Sequence, residues 1–403
     1  MRASTYPLVD PVEAHRIVLE RVAVLSSEPV PVGEAAGRVL AEDLIGLEDL
    51  PAWPSSAVDG YAIRSADGGG RLRVIGESAA GHPFGGRLER GMAARILTGG
   101  VLPEGADRVV MVEDTTLEGD FVVVPEGPAG RNFHAPGDDA KAAERLLRAG
   151  VALGPAEVGL AATLGHATLE LRRRPRVALI STGDELVEVG EPRRLGQIVD
   201  SNRFALHAAL REAGAEVRLL GIAPDEPGPL RRVVLEALED ADVLVTSGGV
   251  SVGTHDLVKP LLESLGEVHV GRVKLRPGKP FTFATLPGGR LAFGLPGFPV
   301  SSLITFEVFV RPALRKMQGY GRLDRPLLPV RLGYEARAAG DRTEYQRVTL
   351  TRDGHDLVAH STGSQSSSRL LSLAGANALV RIPPGDHGMP VGTVVEALIL
   401  DLP

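Results

Sequence analysis

The sequence predicts a multidomain protein of α/β plus β class, with a central doubly wound parallel-sheet domain and flanking β domains. Three observations carry this expectation. The chain has 403 residues, more than one core usually organises. From about Pro175, short apolar runs alternate with amphipathic segments in a βαβαβα rhythm, the pattern of a parallel sheet with helices on both faces. On either side, from about Leu50 to Glu126 and again after about Arg325, Gly and Pro split the chain into short apolar or alternating runs, which read as β structure.

Taken in order, Pro11 to Leu25 reads as a helix, with Pro11 suited to a first turn and Val18, Leu19, Val22 and Leu25 as its apolar stripe. "RLRVIG", "AARILTGG", "DRVVMVED" and "FVVVP" are the strands of the first β segment. Then come strand Arg176–Ser181, helix Phe204–Gly214, strand Glu216–Ile222, helix Leu230–Ala241, strand Asp242–Ser247 and the helix of "LVKPLLESLG". A long helix, "SLITFEVFVRPALRKM", precedes the last β segment. No repeat period marks a solenoid.

Composition removes several function classes. There is no cysteine, so disulfides, iron–sulfur clusters and thiolate metal sites are excluded. The net charge of −7 argues against nucleic acid as a partner, since that role needs a basic surface. Only five of the 44 basic residues are Lys: Lys141, Lys259, Lys274, Lys279 and Lys316. Met1–Pro11 does not read as a signal peptide, and no apolar run is long enough to cross a bilayer. The expectation is a cytoplasmic protein that does not engage membranes.

In doubly wound sheets, ligands bind beyond the carboxyl ends of the strands. The loops expected there are "STGDEL", "PDEP" and "SGGVSVGTHD". Each carries an acid: Asp184 or Glu185, Asp225 or Glu226, and Asp256. Any one of them could simply cap a helix; three along one edge favour a site. The glycines of the third loop let backbone N–H groups cradle an anion. Carboxylates repel a phosphate unless a cation intervenes, and Mg²⁺ held through carboxylates resolves the conflict. Neither G-x-G-x-x-G nor G-x-x-x-x-G-K-[ST] occurs, and H-E-x-x-H is absent. "RPGKPFTF" and "GLPGFPVSS" add stiff Pro–Gly turns, the first of them cationic, at strand ends.

A set of motifs then points to one family. "SAVDGYA" (Ser56–Ala62), "ILTGGVLPEGADRVVMVED" (Ile96–Asp114), "GRNFHAPGDD" (Gly130–Asp139), "STGDEL", "GQIVDSN" (Gly196–Asn202), "SGGVSVGTHD", "RPGKP", "GLPGFPVS" and "TGSQSSSRLLSLAGANALVRIP" (Thr362–Pro383) occur in that order. Together they resemble the molybdopterin molybdenumtransferase family, the MoeA type related to the E domain of gephyrin. The resemblance runs from near Asp10 to about Val395. It implies a homodimer of four-domain chains. Residues 1–45 with 142–172 would form an elongated discontinuous helical and β domain, and 46–141 a β-rich domain. Residues 173–322 would form the α/β molybdopterin-binding domain, and 323–403 a C-terminal β-barrel-like domain. It also implies a Mg²⁺-dependent transferase whose substrates are molybdate and adenylylated molybdopterin, giving molybdenum cofactor and AMP. Partners would include the molybdopterin adenylyltransferase and molybdoenzyme-maturation proteins.

Carried over position by position, the resemblance makes Asp59, Glu185, Asp225 and Asp256 the catalytic acids, with the last three around the metal. Asp59 would complete the site on closure of domains or subunits. Thr98, Gly99 and Asp139 match ligand-binding positions of the β domain. Ser247, Gly248, Gly249, Ser251 and Gly253 match the glycine-rich loop. Arg272, Arg276 and Lys279 would neutralise oxyanions, and Pro296 and Pro299 form the rigid turn. Arg347, Ser364 and Ser367 match a C-terminal region facing the partner subunit's site. His255 is a loop residue without a ligand role. Four departures stand out: Phe298 in place of Asn, Val58 in place of Met, Ser366 in place of Gly, and Arg272 and Arg276 where Lys is common, a swap that is not neutral at an anion site. Phe298 bears on oxyanion preference, molybdate against tungstate. Two other classes stay open: a binding scaffold, and the sister reaction in which ATP adenylylates the pterin.

Overall fold

The computed structural model describes residues 6–126, 131–250 and 257–401. The chain divides into two compact units. One comprises residues 29–36 and 42–169, the other 1–28, 37–41 and 170–403.

The first unit is built on a six-stranded sheet of β1 (Gly60–Ile63), β2 (Gly70–Ser78), β3 (Met92–Ile96), β4 (Arg108–Met111), β5 (Thr116–Glu118) and β6 (Phe121–Val124). Their order is β4-β1-β3-β2-β6-β5, antiparallel except for β2 beside β3. Alternation sorts the side chains: Tyr61, Ile63, Val110 and Val122 form one buried cluster, and Ala62, Ala94, Ile96 and Val109 another.

The second unit opens with α1 (Pro11–Glu20), capped by Asp10, whose carboxylate accepts from Val12 N. The helix expected to reach Leu25 stops at Glu20. Leu25 N–H is instead captured by Met317 O at 2.8 Å, so the chain must leave the helical path. The central sheet contains β7 (Arg176–Thr182), β8 (Glu216–Ala223), β9 (Val243–Ser247), β10 (Glu267–Val270), β11 (Thr282–Leu286) and β12 (Arg290–Leu295), in the order β8-β7-β9-β12-β11-β10. The first four are parallel, as expected of a doubly wound domain; β11 and β10 extend the sheet antiparallel.

Each face of this sheet carries helices. On one, Val177, Leu179, Val243 and Val245 pack with Leu206 and Leu210 of α2 (Asn202–Glu212). On the other, Ala178, Ile180 and Leu244 meet Leu230 and Val234 of α3 (Pro227–Asp240) and Leu262 of α4 (Val258–Leu265). The long helix expected before the last β segment is present, running from Pro299 to Met317, but it is not uniform. α5 (Pro299–Thr305) and α6 (Arg311–Met317) are joined by a π turn over Phe306–Val310. Pro312 explains it: proline has no N–H to donate and its ring crowds the carbonyl four residues back, so the preceding turn widens. The C-terminal strands β13 (Leu327–Leu332), β14 (Thr343–Asp353), β15 (Asp356–Ser361), β16 (Ala378–Ile382) and β17 (Val394–Ile399) close on themselves through β14–β16 pairing. Val330, Val348, Leu350, Ala359, Val380 and Ala397 fill this barrel.

At the opposite end of the sheet from its ligand loops, Asp242 starts β9. Arg173 donates to both its oxygens at 2.7 Å, and Arg176 N donates at 2.8 Å. Burial pushes the Asp242 carboxyl up, but the Arg173 fork and the backbone donor outweigh it and hold the group below its ordinary value. A depressed folded pKa stabilises above the unfolded value of about 3.9 and ceases to do so as pH falls through the folded one. Asp242→Asn is expected to cost about 1–3 kcal/mol at pH 7. In thermal melts the gap between the two proteins should close below about pH 4; an equal gap at pH 7 and pH 3 would contradict the assignment.

Candidate functional site

The carboxyl ends of the parallel strands finish level. Ser181 pairs with Ser247, Thr182 with Ala223, and Ser247 with Leu295. The loops that follow therefore leave the sheet at one rim, and they enclose a cleft of about 310 Å³. Glu185 follows β7 and Asp225 follows β8, and both line this cleft. The two loops also touch each other, Asp225 N donating to Asp184 Oδ1 at 3.4 Å. Ser247, Gly248, Gly249 and Pro299 line the same space. Asp256, Ser251, Gly253 and His255 lie outside the described residues.

The glycine turn is as tight as its composition suggested. Gly248 and Gly249 have φ of +92° and +65°, the left-handed region that side chains disfavour. A Cβ on Gly248 would sit 2.5 Å from Thr182 O, and one on Gly249 2.7 Å from Val258 Cγ2. The backbone of one loop is thus pressed against the end of the neighbouring strand.

The cationic turn is less direct. Pro280 lines the cleft, whereas Arg272, Arg276 and Lys279 do not. Arg272 and Lys279 use their carbonyls within the fold, accepting from Val9 N and Val273 N at 3.1 Å. Half-exposed Arg276 reaches Glu344 of the barrel at 3.8 Å. Pro296 is buried behind the turn, and the next residue, Gly297, is the one that lines the cleft. Phe298, at 59 % exposure, stands between Gly297 and Pro299.

The C-terminal candidates are organised by a buried cation. Arg347 is 0 % exposed. Its guanidinium donates to Ser366 O at 3.1 Å, to Ser364 O at 3.5 Å and to Ser372 Oγ at 3.2 Å. It therefore shapes the serine loop from inside rather than meeting solvent. Ser364 is exposed and Ser367 half-buried, and Ser367 O accepts Val300 N at 3.1 Å, which ties that loop to the start of α5.

Asp59, Thr98, Gly99 and Asp139 belong to the other unit. There Thr98 donates to Asp59 Oδ1 from both its backbone N and its Oγ1, each at 2.7 Å. These two bonds, the backbone one foremost, hold the exposed Asp59 carboxyl below its usual range. Gly99 N donates to Ser56 O at 2.8 Å, and exposed Asp139 gives its N–H to Leu50 O at 2.9 Å.

Thr182, Asp200 and Asn202 also line the cleft, and none of them was among the candidates. Thr182 ends β7, whereas Asp200 and Asn202 enter because Leu186–Val187 pairs parallel with Ile198–Val199, folding "GQIVDSN" back beside "STGDEL". Asp200, 1 % exposed, binds Arg203 N and lies 3.2 Å from its Nε, while the Arg203 guanidinium also pairs with Glu188. The motif "GQIVDSN" was the signal that could have drawn attention to Asp200 and Asn202, and "STGDEL" the one for Thr182.

Residues 9–165 match the family described as the MoeA N-terminal region (domain I and II), residues 178–316 a probable molybdopterin binding domain, and residues 329–400 the MoeA C-terminal region (domain IV). A molybdopterin molybdenumtransferase of Nostoc is 39 % identical over 390 residues, which is 94 % of this chain and 89 % of that one. Gephyrin of Dictyostelium discoideum is 36 % identical over 99 % of this chain, which spans 63 % of gephyrin's length. The fold is similar to that of a molybdopterin biosynthesis MoeA protein from Pyrococcus horikoshii, with a TM-score of 0.83 and 31 % identity over 98 % of this chain and 100 % of that one. No helix among the described residues is long and apolar enough to cross a membrane.

Proposed function

The chain belongs to the molybdopterin molybdenumtransferase (MoeA) family of molybdenum cofactor biosynthesis, and from that premise we propose that it inserts molybdate into adenylylated molybdopterin with release of AMP. The observation that carries this reading is the cleft itself. Glu185 and Asp225, from loops after different strands, open onto one space with the Gly248–Gly249 turn. A site with acids and an anion cradle side by side suits a phosphoanhydride accompanied by a divalent cation.

The residues present fit magnesium. It is ordinarily held by one or two carboxylates, with water and phosphate oxygens completing the shell. Among the described residues no three His, Cys, Asp or Glu gather closely enough to hold a metal; two of the proposed carboxylates, Glu185 and Asp225, line the cleft, and Asp256 lies outside the described residues. Glu185, Asp225 and Asp256 would hold the ion. Bound there, it would supply neutralisation of charge at the phosphoanhydride.

The other roles fall to the chain itself. The backbone N–H of Gly249 orients a phosphate oxygen, Gly248 fixes the turn by donating to Leu295 O, and Glu185 positions the attacking water. Arg276 and Lys279 attract the oxyanion to the cleft mouth at longer range. Asp59, kept ionised by Thr98, is the catalytic acid of the β-rich domain. The chain acts as a cytoplasmic homodimer divided into the four domains set out above, and it receives its substrate from a pterin adenylyltransferase.

Purified protein given adenylylated molybdopterin, Mg²⁺ and molybdate is expected to release AMP. Chelation of divalent cations abolishes the release and added Mg²⁺ restores it. Running the assay with tungstate as well tests what the exposed Phe298 does to oxyanion choice. No AMP release under any of these conditions would sink the transferase reading and leave a binding scaffold.

A further inference from the structure

Two hydroxyl groups in the cleft stand out from its acids and glycines. Thr182, the last residue of β7, lines the cleft and is only 4 % exposed. Its Oγ1 is buried without a hydrogen-bond partner among the described residues, an arrangement that costs stability unless something pairs with it. It lies against the glycine turn: a Cβ on Gly248 would be 3.2 Å from this oxygen, and one on Gly249 2.8 Å.

Ser247 supplies the second hydroxyl. Asn202 Nδ2 sits 2.7 Å from Gly297 O and 2.8 Å from Ser247 Oγ. A carbonyl oxygen can only accept, so the amide nitrogen, not its oxygen, faces this pair. Both amide hydrogens are then committed, and Ser247 Oγ is an acceptor toward Asn202. Its own proton remains to be donated elsewhere, and the cleft is the space it lines.

We propose that the Thr182 and Ser247 hydroxyls form a two-donor site for anionic oxygens of the phosphate-bearing ligand, with Asn202 as a positioning residue that acts through Ser247. This rests on the transferase reading and deepens it. Neutral donors suit the place: beside carboxylates, they bind an anion without adding charge to be compensated. Gly248 N–H is held by Leu295 O at 3.1 Å, which fixes the turn and leaves the Gly249 N–H as the backbone donor of the turn for the same oxygens.

The test measures binding of adenylylated molybdopterin by calorimetry at fixed Mg²⁺, together with thermal melts of the ligand-free protein. Thr182→Val keeps the shape and removes the hydroxyl. It is expected to weaken binding about tenfold, as loss of a hydrogen bond to a charged group does, while the ligand-free melting temperature holds or rises. Thr182→Ser restores the affinity. Asn202→Ala weakens binding in the same direction by releasing Ser247. Wild-type affinity in Thr182→Val would overturn the proposal and leave the transferase intact. So would a lowered ligand-free melting temperature with no rescue by Ser, because that marks a packing role. A wild-type protein that neither binds this ligand nor releases AMP overturns the proposal and the transferase reading together.

Discussion

Asp225→Asn lowers the rate of AMP release by about a hundredfold, equivalent to about 2.7 kcal/mol of barrier. The substitution changes one oxygen to an amide, so shape is kept while the negative charge goes. Asp225 is a loop residue at the sheet rim, outside the hydrophobic clusters on both faces, and the melting temperature should stay near wild type. The loss should be largest at limiting Mg²⁺ and shrink as the cation is raised, because a weakened ligand set is partly compensated by mass action. Single-turnover AMP release across a Mg²⁺ titration reads both effects. Full activity at limiting Mg²⁺ would remove Asp225 from the metal set, and a fall in rate indifferent to Mg²⁺ would recast it as a substrate contact.

Gly248→Ala damages stability and activity together. At φ +92° the added methyl meets Thr182 O at 2.5 Å, and that partner is the backbone of a central strand, which cannot swing aside. Left-handed strain alone costs about 1–2 kcal/mol, and relief of the contact must shift β7 or the turn. The expected loss of unfolding free energy is about 2–4 kcal/mol, with AMP release falling by more than about tenfold because the anion cradle moves with the turn. Gly228 is the control. Its Cβ would meet nothing within 4 Å and its φ is ordinary, so Gly228→Ala should leave both quantities unchanged or add slightly to stability. Denaturant melts of the three proteins beside their turnover rates decide it; a Gly248→Ala protein indistinguishable from Gly228→Ala would mean the turn is not tight.

The difference between these two sites shows where sequence reasoning succeeds. The loops after β7, β8 and β9 could be named in advance because alternating strands and helices fix which ends of a parallel sheet carry the connections. The same periodicity says nothing about strand direction once crossover helices stop. Hence β11, which is joined to β12 by a short turn and not by a helix, runs antiparallel to it, while β10, reached through α4, keeps the direction of the parallel strands. It also misjudged continuity in helices. The apolar stripe of α1 runs on to Leu25, past the helix end at Glu20, and the stripe through Phe306–Val310 hides the π turn ahead of Pro312.

Charge and glycine content narrowed the acids to Asp184 or Glu185 and Asp225 or Glu226 and drew attention to the Gly248–Gly249 turn; the family resemblance chose Glu185 and Asp225. Charge and glycine content were insufficient for Thr182 and Asn202, which are ordinary residues until a partner is placed beside them. Arg347 makes the converse case. Its type suggests an exposed anion contact, yet the barrel closes around it and turns its guanidinium toward the serine loop.

By itself the sequence determined the class of each segment, the edge of the central sheet at which the cleft opens, and the family, since all of these follow from order and spacing along one chain. Only the tertiary structure decided that "GQIVDSN" returns beside "STGDEL", that Asn202 spends both amide hydrogens on Ser247 and Gly297, and that Thr182 presses its hydroxyl toward the glycine turn. The physical reason is that the direction of a hydrogen bond belongs to a pair of groups, and these pairs join residues tens of positions apart that only folding brings within 3 Å.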